Sequence, residues 1–323
     1  MTRKPEPPPA ATTIVPFVHR LDAREEAVWI AAIEAANPFV ALRPLSALTV
    51  EERDSAPVAI VANPDPAELR GLPALRWVQS LWAGVERLVP HTPAQVAIVR
   101  MVDPQLAATM AEAVLACALY LHRDMPLYAR QQRARLWRQH DVRSAADRRI
   151  GVLGMGEMGA AAAHRLAANG FSVSGWSRSQ KRIDGVETSY GADGLTRVLR
   201  RADILVIVLP LTEATHGLIS AAALAQMKHG ASIINFGRGA IVDEAALLAR
   251  LDEGALQHAV LDVFAVEPLP RASPLWKHER ITILPHIAAP TNVETASRIA
   301  AENLRLYFRD GAIPMAVDRN RGY

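Results

Sequence analysis

Short apolar runs alternate with segments of helical period along the first third of the chain. The helical period is clearest in LDAREEAVWIAAIEAANP, where Asp22 and Glu25 resemble a capping box and Asn37-Pro38 ends the helix. Because strands that alternate with helices are typical of a parallel sheet covered by helices, this part predicts a small α/β domain. Its predicted strands are TIVPFVH (13–19), FVALRPL, VAIVANP, LRWVQSL and AIVRMV.

A second alternating set follows a long apolar helix, DPQLAATMAEAVLACALYLHRDMP, which we expect to cross between domains, and a charged, irregular stretch. Its six predicted strands are RIGVLG, FSVSGW, ILVIVLP, SIINFG, HAVLDVF and ITILPH. Because these runs are apolar on both faces, they suit parallel strands buried between layers of helices. Six such strands form the doubly wound dinucleotide-binding, or Rossmann, fold. The amphipathic segment TNVETASRIAAENLRLYFRDG follows the last strand and is predicted to pack on the first domain.

Composition narrows the class of protein. A chain of 323 residues, 50% of them hydrophobic, suggests about two domains. A net charge of +3 is too small to indicate nucleic acid binding. The single cysteine, Cys117, is interpreted as a core residue, with a catalytic thiol as the remote alternative, and it fits a reducing compartment. The proline-rich N-terminus is predicted to be disordered, and no apolar run approaches the roughly 20 residues of a membrane span. We therefore expect a soluble cytoplasmic protein.

A glycine-rich turn carries the clearest chemical signal. Gly154, Gly156 and Gly159 have the spacing G-x-G-x-x-G between a predicted strand and the helix EMGAAAAHRLAANG. The first glycine permits a tight turn, the second lets the backbone approach a pyrophosphate, and the third lets helix and strand pack closely. The alternative is a glycine turn without a ligand. The residues between the glycines, also predicted to contact a cofactor, are Met155, Glu157 and Met158.

The stretch SGWSRSQKR decides which dinucleotide is expected. At the end of the second strand, an NAD-binding fold usually has an aspartate or glutamate that binds both ribose hydroxyls. This chain has Ser177 there, followed by Arg178, Lys181 and Arg182. A serine hydroxyl and a guanidinium can both bind a 2′-phosphate, which a carboxylate would repel. The sequence therefore predicts NADPH, with NADH as a weaker alternative. The other interpretation is a solvated basic turn that tolerates either cofactor.

Three polar residues follow the last three predicted strands. Arg238 lies in INFGRGA, Glu267 precedes Pro268, and His286 follows Pro285. Ligands of a doubly wound sheet bind beyond the carboxyl ends of its strands, so we expect these side chains to converge. A protonated histidine can donate a proton near neutral pH, and a neighbouring glutamate orients it and favours its charged form. The arginine can bind the carboxylate and ketone of a 2-oxo acid. No metal site is predicted.

With these residues the chain resembles the D-isomer-specific 2-hydroxyacid dehydrogenases, and within them the glyoxylate/hydroxypyruvate reductase A group. The resemblance runs from about residue 60 to the C-terminus. It implies two doubly wound parallel-sheet domains. A flavodoxin-like substrate domain, 1–98 and 288–323, is interrupted by a Rossmann cofactor domain, 99–287. The motifs that carry the resemblance are LWAGVE, MAEAVL, IGVLGMGEMG, GWSRS, LPLTEATHGLI, INFGRGAIVDEAALLARLDEGALQHAVLDVFAVEPLP, SPLWKHERITILPHIAA and VDRNRGY.

The resemblance also implies roles for individual residues. Arg238 would bind the 2-oxo acid, His286 would donate the proton and Glu267 would support it. Backbone amides near Ala83 and Gly84 would hold the substrate carboxylate. Trp82 stands where a glycine is common, and it would either narrow the substrate pocket or serve only in packing. Asp262 would contact the nicotinamide carboxamide. The remaining cofactor contacts would be Leu209, Pro210, Thr215, Phe236, His286 and Ala288.

The expected function is the reduction of a small 2-oxo acid, glyoxylate or hydroxypyruvate, to a D-2-hydroxy acid with NADPH. One alternative is a dehydrogenase of a larger D-2-hydroxy acid, because fold and catalytic residues do not set pocket size. A second is a non-catalytic NAD(P)-sensing binding protein on the same fold. Similar proteins are homodimers formed through the cofactor domain, which would place Trp137 near a partner's active site. No nucleic acid or membrane partner is expected.

Overall fold

The computed structural model describes residues 12–322; the predicted disordered segment that precedes them lies outside this range. The helices are α1 (Ala23–Ala36), α2 (Val50–Ser55), α3 (Pro104–His122), α4 (Met125–Arg133), α5 (Glu157–Ala168), α6 (Gly191–Arg201), α7 (Ala221–Ala225), α8 (Glu244–Asp252) and α9 (Val293–Asp310). The strands are β1 (Thr13–His19), β2 (Val40–Pro44), β3 (Val58–Ala62), β4 (Trp77–Ser80), β5 (Ala97–Val99), β6 (Arg149–Leu153), β7 (Ser172–Ser177), β8 (Glu187–Tyr190), β9 (Ile204–Ile207), β10 (Ala231–Asn235), β11 (Leu256–Leu261) and β12 (Ile281–Ile283).

The chain folds into two compact units. The first contains the chain up to Asp103 together with the segment from Thr291, and the second is Pro104–Pro290. Both junctions lie a few residues beyond those expected from the sequence. Helix α3, which is expected to cross between domains, begins at Pro104, the first residue of the second unit. The whole helix therefore lies within that unit.

The first unit is a five-stranded parallel sheet in the order β2-β1-β3-β4-β5, so all five predicted strands are confirmed. Helix α1 begins with the predicted capping box: Asp22 accepts from the Glu25 backbone N–H, and Glu25 accepts from that of Asp22. The C-terminal helix α9 packs on α1, with Ala300 and Leu304 in the same core as Phe17. The prediction that this helix packs on the first domain is therefore confirmed.

The second unit is a seven-stranded parallel sheet in the order β12-β11-β10-β9-β6-β7-β8. The order reverses between β6 and β9, which is the switch point where a doubly wound fold binds its ligand. All six predicted strands are present. The seventh, β8, was missed because it is a short, largely polar edge strand, ETSY. Helix α4 was also missed, because it lies in the charged stretch that was predicted to be irregular.

Among helices within residues 12–322, only α3 is long and apolar enough by length and composition to cross a membrane. The expectation that no apolar run reaches that length is therefore wrong for this segment. In the folded unit α3 packs against α5, and Met110, Val114 and Ala118 lie in one core with Val152 of β6. The apolar composition of α3 thus has an explanation in packing within its own unit.

Cys117 lies on the same helix and is partly buried. Burial, together with the negative charge of Asp262, raises the pKa of its thiol to about 11. A catalytic thiol needs the opposite shift, because the thiolate is the nucleophile. The interpretation of Cys117 as a packing residue is the one that this environment favours.

Candidate active site

The glycine turn joins β6 to α5, and its geometry requires glycine at two positions. Gly154 has a φ of +105°, a conformation that residues with a side chain rarely adopt. A Cβ on Gly159 would lie 1.7 Å from the Gly154 carbonyl oxygen, so any side chain there would separate the helix from the turn. A Cβ on Gly156, by contrast, would meet no atom within 4 Å, so the main chain at this residue is open to the approach of a ligand.

The N-terminus of α5 fits a dinucleotide diphosphate. The N-cap residue of α5 is Gly156, which has no side chain to cap the helix, so the first N–H groups have no side-chain capping partner. Such groups, with the positive end of the helix dipole, favour bound phosphate. Glu157 is exposed in this turn, whereas Met155 is buried and Met158 packs on the core. The two methionines can therefore offer a cofactor mainly their backbone.

The basic turn after β7 has one buried member and three exposed ones. Ser177 is buried, and its hydroxyl donates to the carbonyl of Ser179 at 2.7 Å. Arg178, Lys181 and Arg182 are exposed. Ser177 thus shapes the turn with its own hydrogen bond, and the positive charge that an anionic ligand would meet comes from the residues after it.

The loop that follows β9 is organised by a threonine. The Thr215 hydroxyl donates to the carbonyl of Pro210 at 2.7 Å and accepts from the Thr212 backbone N–H at 2.8 Å. Leu209, Phe236 and Ala288 are buried. Leu209, Phe236 and Ala288 are therefore parts of the hydrophobic core of the second unit, and their contact with a cofactor stays a prediction.

Arg238 lies in a turn after β10 that Asn235 shapes. The side chain of Asn235 accepts from the Gly237 backbone N–H at 3.1 Å and donates to the Arg238 carbonyl at 3.1 Å. Arg238 itself donates from Nη1 to the Gly237 carbonyl at 2.7 Å. A Cβ on Gly239 would lie 1.9 Å from the Phe264 carbonyl carbon, so only glycine lets this turn approach the segment after β11.

Glu267 and His286 form the pair that the sequence predicts. Glu267 Oε2 lies 2.7 Å from His286 Nδ1, and Glu267 Oε1 accepts from the Phe264 backbone N–H at 2.9 Å. Because a carboxylate only accepts hydrogen bonds, Nδ1 carries a proton and Nε2 is left for a ligand. The His286 side chain is 50% exposed. Strands β10, β11 and β12 are neighbours in the sheet, so Arg238, Glu267 and His286 follow adjacent strands, as predicted.

Asp262, at the end of β11, holds the histidine segment in place. Its carboxylate accepts from the backbone N–H groups of Ile287 at 2.7 Å and Ala288 at 2.9 Å. His286 has a φ of +55°, in the left-handed region, which costs a residue other than glycine about 1–3 kcal/mol. Burial raises the pKa of the Asp262 carboxyl, although the two N–H groups and His286 oppose the shift. Asp262 thus stabilises the backbone conformation that presents the imidazole.

The residues predicted to hold the substrate carboxylate lie in the first unit, just after β4. No residue within 12–322 accepts a hydrogen bond from the backbone N–H of Ala83 or Gly84. Trp82 packs edge-on against Trp29, with ring centroids 5.8 Å apart, and joins the core of that unit. This contact favours the packing interpretation of Trp82, and the two free N–H groups are compatible with an anion.

Sequence reasoning missed the residues that position the others. The apolar pattern assigns Asn235 only to a strand, although a polar residue that ends an apolar run close to a glycine is a signal for a side-chain-stabilised turn. Asp262 was assigned to the cofactor, and its bonds to Ile287 and Ala288 could not be anticipated, because they join segments distant in sequence.

These features together define a class of protein. The family model described as D-isomer specific 2-hydroxyacid dehydrogenase, NAD binding domain, matches residues 115–288, which fall within the second unit. The chain belongs to the D-isomer specific 2-hydroxyacid dehydrogenases.

Within this family, the chain is similar to several individual proteins. The glyoxylate/hydroxypyruvate reductase A of Yersinia enterocolitica is 36% identical over 303 residues, covering 91% of this chain and 96% of that protein. A D-isomer specific 2-hydroxyacid dehydrogenase from Xanthobacter autotrophicus, crystallised with NADPH and MES, has a TM-score of 0.90 and 39% identity and covers 97% of this chain and 100% of its own. The NADPH-dependent glyoxylate/hydroxypyruvate reductase of Sinorhizobium meliloti, in complex with NADP and sulfate, has a TM-score of 0.86 and 34% identity, with coverage of 96% and 100%.

Proposed function

We propose that this protein is an NADPH-preferring reductase that converts glyoxylate, hydroxypyruvate or a similar small 2-oxo acid to the D-2-hydroxy acid. The observation that carries the proposal is the hydrogen bond of 2.7 Å between His286 Nδ1 and Glu267 Oε2, which leaves Nε2 of an exposed imidazole for a substrate. The names of the relatives from Yersinia and Sinorhizobium support the substrate class.

His286 moves the proton in this reaction. Protonated imidazole donates from Nε2 to the substrate ketone oxygen, while Glu267 keeps the Nδ1–H bonded and the ring oriented. When bound, the reduced nicotinamide supplies the hydride, which adds to the carbonyl carbon. The product is the 2-hydroxy acid, with one hydrogen from each source, and His286 regains its proton from water.

Each unit carries a group that we propose for binding the acid. The guanidinium of Arg238 bridges the carboxylate and ketone oxygens, which its planar fork of donors matches. In the first unit, the backbone N–H groups of Ala83 and Gly84, from which no residue within 12–322 accepts a hydrogen bond, are proposed to hold the substrate carboxylate. In this proposal the unit Pro104–Pro290 binds the cofactor.

In this proposal the cofactor site distinguishes NADPH from NADH by the charge of the 2′-phosphate. The uncapped N-terminus of α5 would hold the diphosphate of the cofactor, and Arg178 and Lys181, which are exposed after β7, would bind its 2′-phosphate. Because the Ser177 hydroxyl already donates to Ser179, Ser177 contributes less by a direct bond than by the absence of a repelling carboxylate. NADH lacks the phosphate, so it binds more weakly.

Steady-state reduction of a panel of 2-oxo acids with each cofactor tests this function. The parent should reduce glyoxylate or hydroxypyruvate with a higher kcat/KM for NADPH than for NADH. Ser177→Asp combined with Arg178→Ala should reverse the preference, because it removes a charge-assisted bond worth roughly 1.5–3 kcal/mol and adds repulsion. Exchange of the exposed Arg165 on α5 for alanine is the matched control for lost charge. Turnover only of larger acids would favour the second dehydrogenase alternative, and cofactor binding without turnover would favour the sensor.

We also propose that the protein is a cytoplasmic homodimer formed through the cofactor unit. The segment after α4 carries Leu136, Trp137 and Val142, which are 52%, 96% and 72% exposed, beside a cavity of about 470 Å³. Gln131 anchors this segment to α4 by donating to the Arg138 carbonyl at 2.8 Å. Because an aromatic side chain this exposed is typical of a protein–protein interface, the segment after α4 supports contact with a second copy of the chain. Sedimentation should give a dimer for the parent and a weaker dimer for Trp137→Ala; a monomeric parent would refute this part.

A further inference from the structure

The C-terminal tail binds the loop that carries the proposed carboxylate site. This β4–β5 loop comprises residues 81–96 of the first unit. Four of its carbonyl groups accept hydrogen bonds from one side chain of the tail, Arg319. Nη1 donates to Val89 and Thr92, both at 3.0 Å, and Nη2 donates to Pro93 at 2.8 Å and Val96 at 2.6 Å. All four N–H bonds of the two terminal nitrogens are thereby used.

The tail is itself ordered where Arg319 leaves it. The Val317 backbone N–H donates to the Ile98 carbonyl of β5 at 2.7 Å, and the Val317 side chain packs against the core cluster to which Val85 and Leu88 of the loop belong. Asp318 closes a turn by accepting from the backbone N–H groups of Asn320 and Arg321. The guanidinium is therefore presented to the loop by a fixed backbone.

A continuous chain of bonds leads from Arg319 to the proposed substrate site. Arg319 holds the carbonyl of Val89, and the Val89 N–H donates to the Val85 carbonyl at 3.1 Å. Val85 directly follows Gly84. On the other side of the site, the Trp82 carbonyl accepts from the Met101 N–H at 3.0 Å. Ala83 and Gly84 are thus held between two anchors, of which one ends at Arg319.

From this arrangement we propose that Arg319 is a positioning residue that orders the β4–β5 loop so that its free N–H groups bind the substrate carboxylate. The inference rests on the proposed function for the identity of the substrate. It assigns a role to the terminal sequence VDRNRGY, which neither the glycine turn nor the catalytic pair involves. A guanidinium suits this role because it carries donors on two fixed nitrogens, whereas an ammonium is a single point and cannot span four carbonyls.

The test compares Arg319→Gln and Arg319→Lys with the parent, and Arg321→Gln is the matched control. Arg321 lies in the same tail, but it is 66% exposed and pairs only with Asp318 among the contacts described. We expect KM for glyoxylate to rise about tenfold in Arg319→Gln, as for the loss of one charge-assisted hydrogen bond. Saturating kcat and the Kd for NADPH should stay near parental values. Arg319→Lys should lie between, and Arg321→Gln should match the parent.

Hydrogen exchange of the full-length protein gives a readout that does not require turnover. Amides of residues 83–92 should exchange faster in both Arg319 variants and at the parental rate in Arg321→Gln. Unchanged exchange, or faster exchange with an unchanged KM in an active enzyme, would overturn the inference. A general loss of stability would instead lower kcat and NADPH binding together, which would also overturn it. If the parent reduces no 2-oxo acid, the proposed function fails, and the exchange rates alone decide whether Arg319 orders the loop.

Discussion

Replacement of Asp262 by asparagine tests whether the conformation of the histidine segment is maintained from β11. Asp262 is 1% exposed, and its two oxygens accept from consecutive N–H groups, those of Ile287 and Ala288. Asparagine has one side-chain acceptor, so one of these N–H groups would face the amide NH₂. His286 would then keep its left-handed conformation with half of the support.

The magnitude follows from these bonds. Loss of a charge-assisted hydrogen bond costs roughly 1.5–3 kcal/mol, and a buried N–H without an acceptor costs roughly 1–3 kcal/mol. Burial raises the pKa of the Asp262 carboxyl, which means that burial disfavours its charged form. A neutral amide avoids this penalty, so part of the cost of the substitution is offset. A net cost of roughly 2–4 kcal/mol, expressed as displacement of His286, corresponds to a fall in kcat of roughly thirtyfold to a thousandfold.

Steady-state kinetics, NADPH titration and thermal melting of the same protein samples separate the possible causes. Asp203→Asn is the matched control, because Asp203 also accepts from a backbone N–H, that of Arg149 at 2.8 Å, but at the opposite end of the sheet. Asp203→Asn should lower the melting temperature and leave kcat intact. A fall in kcat of less than about tenfold in Asp262→Asn, or an equal fall in Asp203→Asn, would show that Asp262 does not hold His286 in position. A weakened affinity for NADPH alone would favour the direct contact with the nicotinamide carboxamide.

Two further predictions concern titratable groups. Glu267→Gln leaves one acceptor for two donors, so kcat should fall roughly tenfold to a hundredfold with NADPH affinity retained, and an unchanged kcat would contradict the pairing with His286. His258 is buried on β11, and burial, with the charge of Arg130 second, lowers its pKa to about 3. As the pH falls, His258 is protonated in the unfolded chain near pH 6.5 but in the folded protein only near pH 3. The free energy of unfolding should therefore decrease below about pH 6.5, by roughly 2–3 kcal/mol at about pH 4.5. Urea unfolding should show this loss in the parent and in the exposed control His229→Gln, but not in His258→Gln; identical pH dependence in all three would contradict it.

The sequence predicts elements well where local patterns and tertiary packing agree. The capping residues Asp22 and Glu25 and the apolar strands lie where periodicity placed them, and Gly154 and Gly159 have the geometry that their spacing requires. Strand β8 escaped prediction because an edge strand needs little apolar surface. Helix α4 escaped because its residues are largely charged and polar.

Within the site, the groups that carry chemistry could be predicted and those that position them could not. His286 and Glu267 stand out because reactive side chains follow strand ends. Asp262 and Arg319 act on backbone groups that belong to other segments, and only the folded chain shows which carbonyl or N–H lies within reach. Long-range side-chain-to-backbone bonds leave no periodic signal.

Single-turnover reduction of glyoxylate by the parent and by His286→Asn tests whether His286 donates the proton in an NADPH-dependent reduction. Asparagine is suited to this exchange because it tolerates the left-handed conformation of residue 286 but cannot act as an acid near neutral pH. We expect a rate roughly 10²–10⁴-fold lower than that of the parent, with the Kd for NADPH nearly unchanged. A variant that reduces glyoxylate at a near-parental rate would contradict this role of His286.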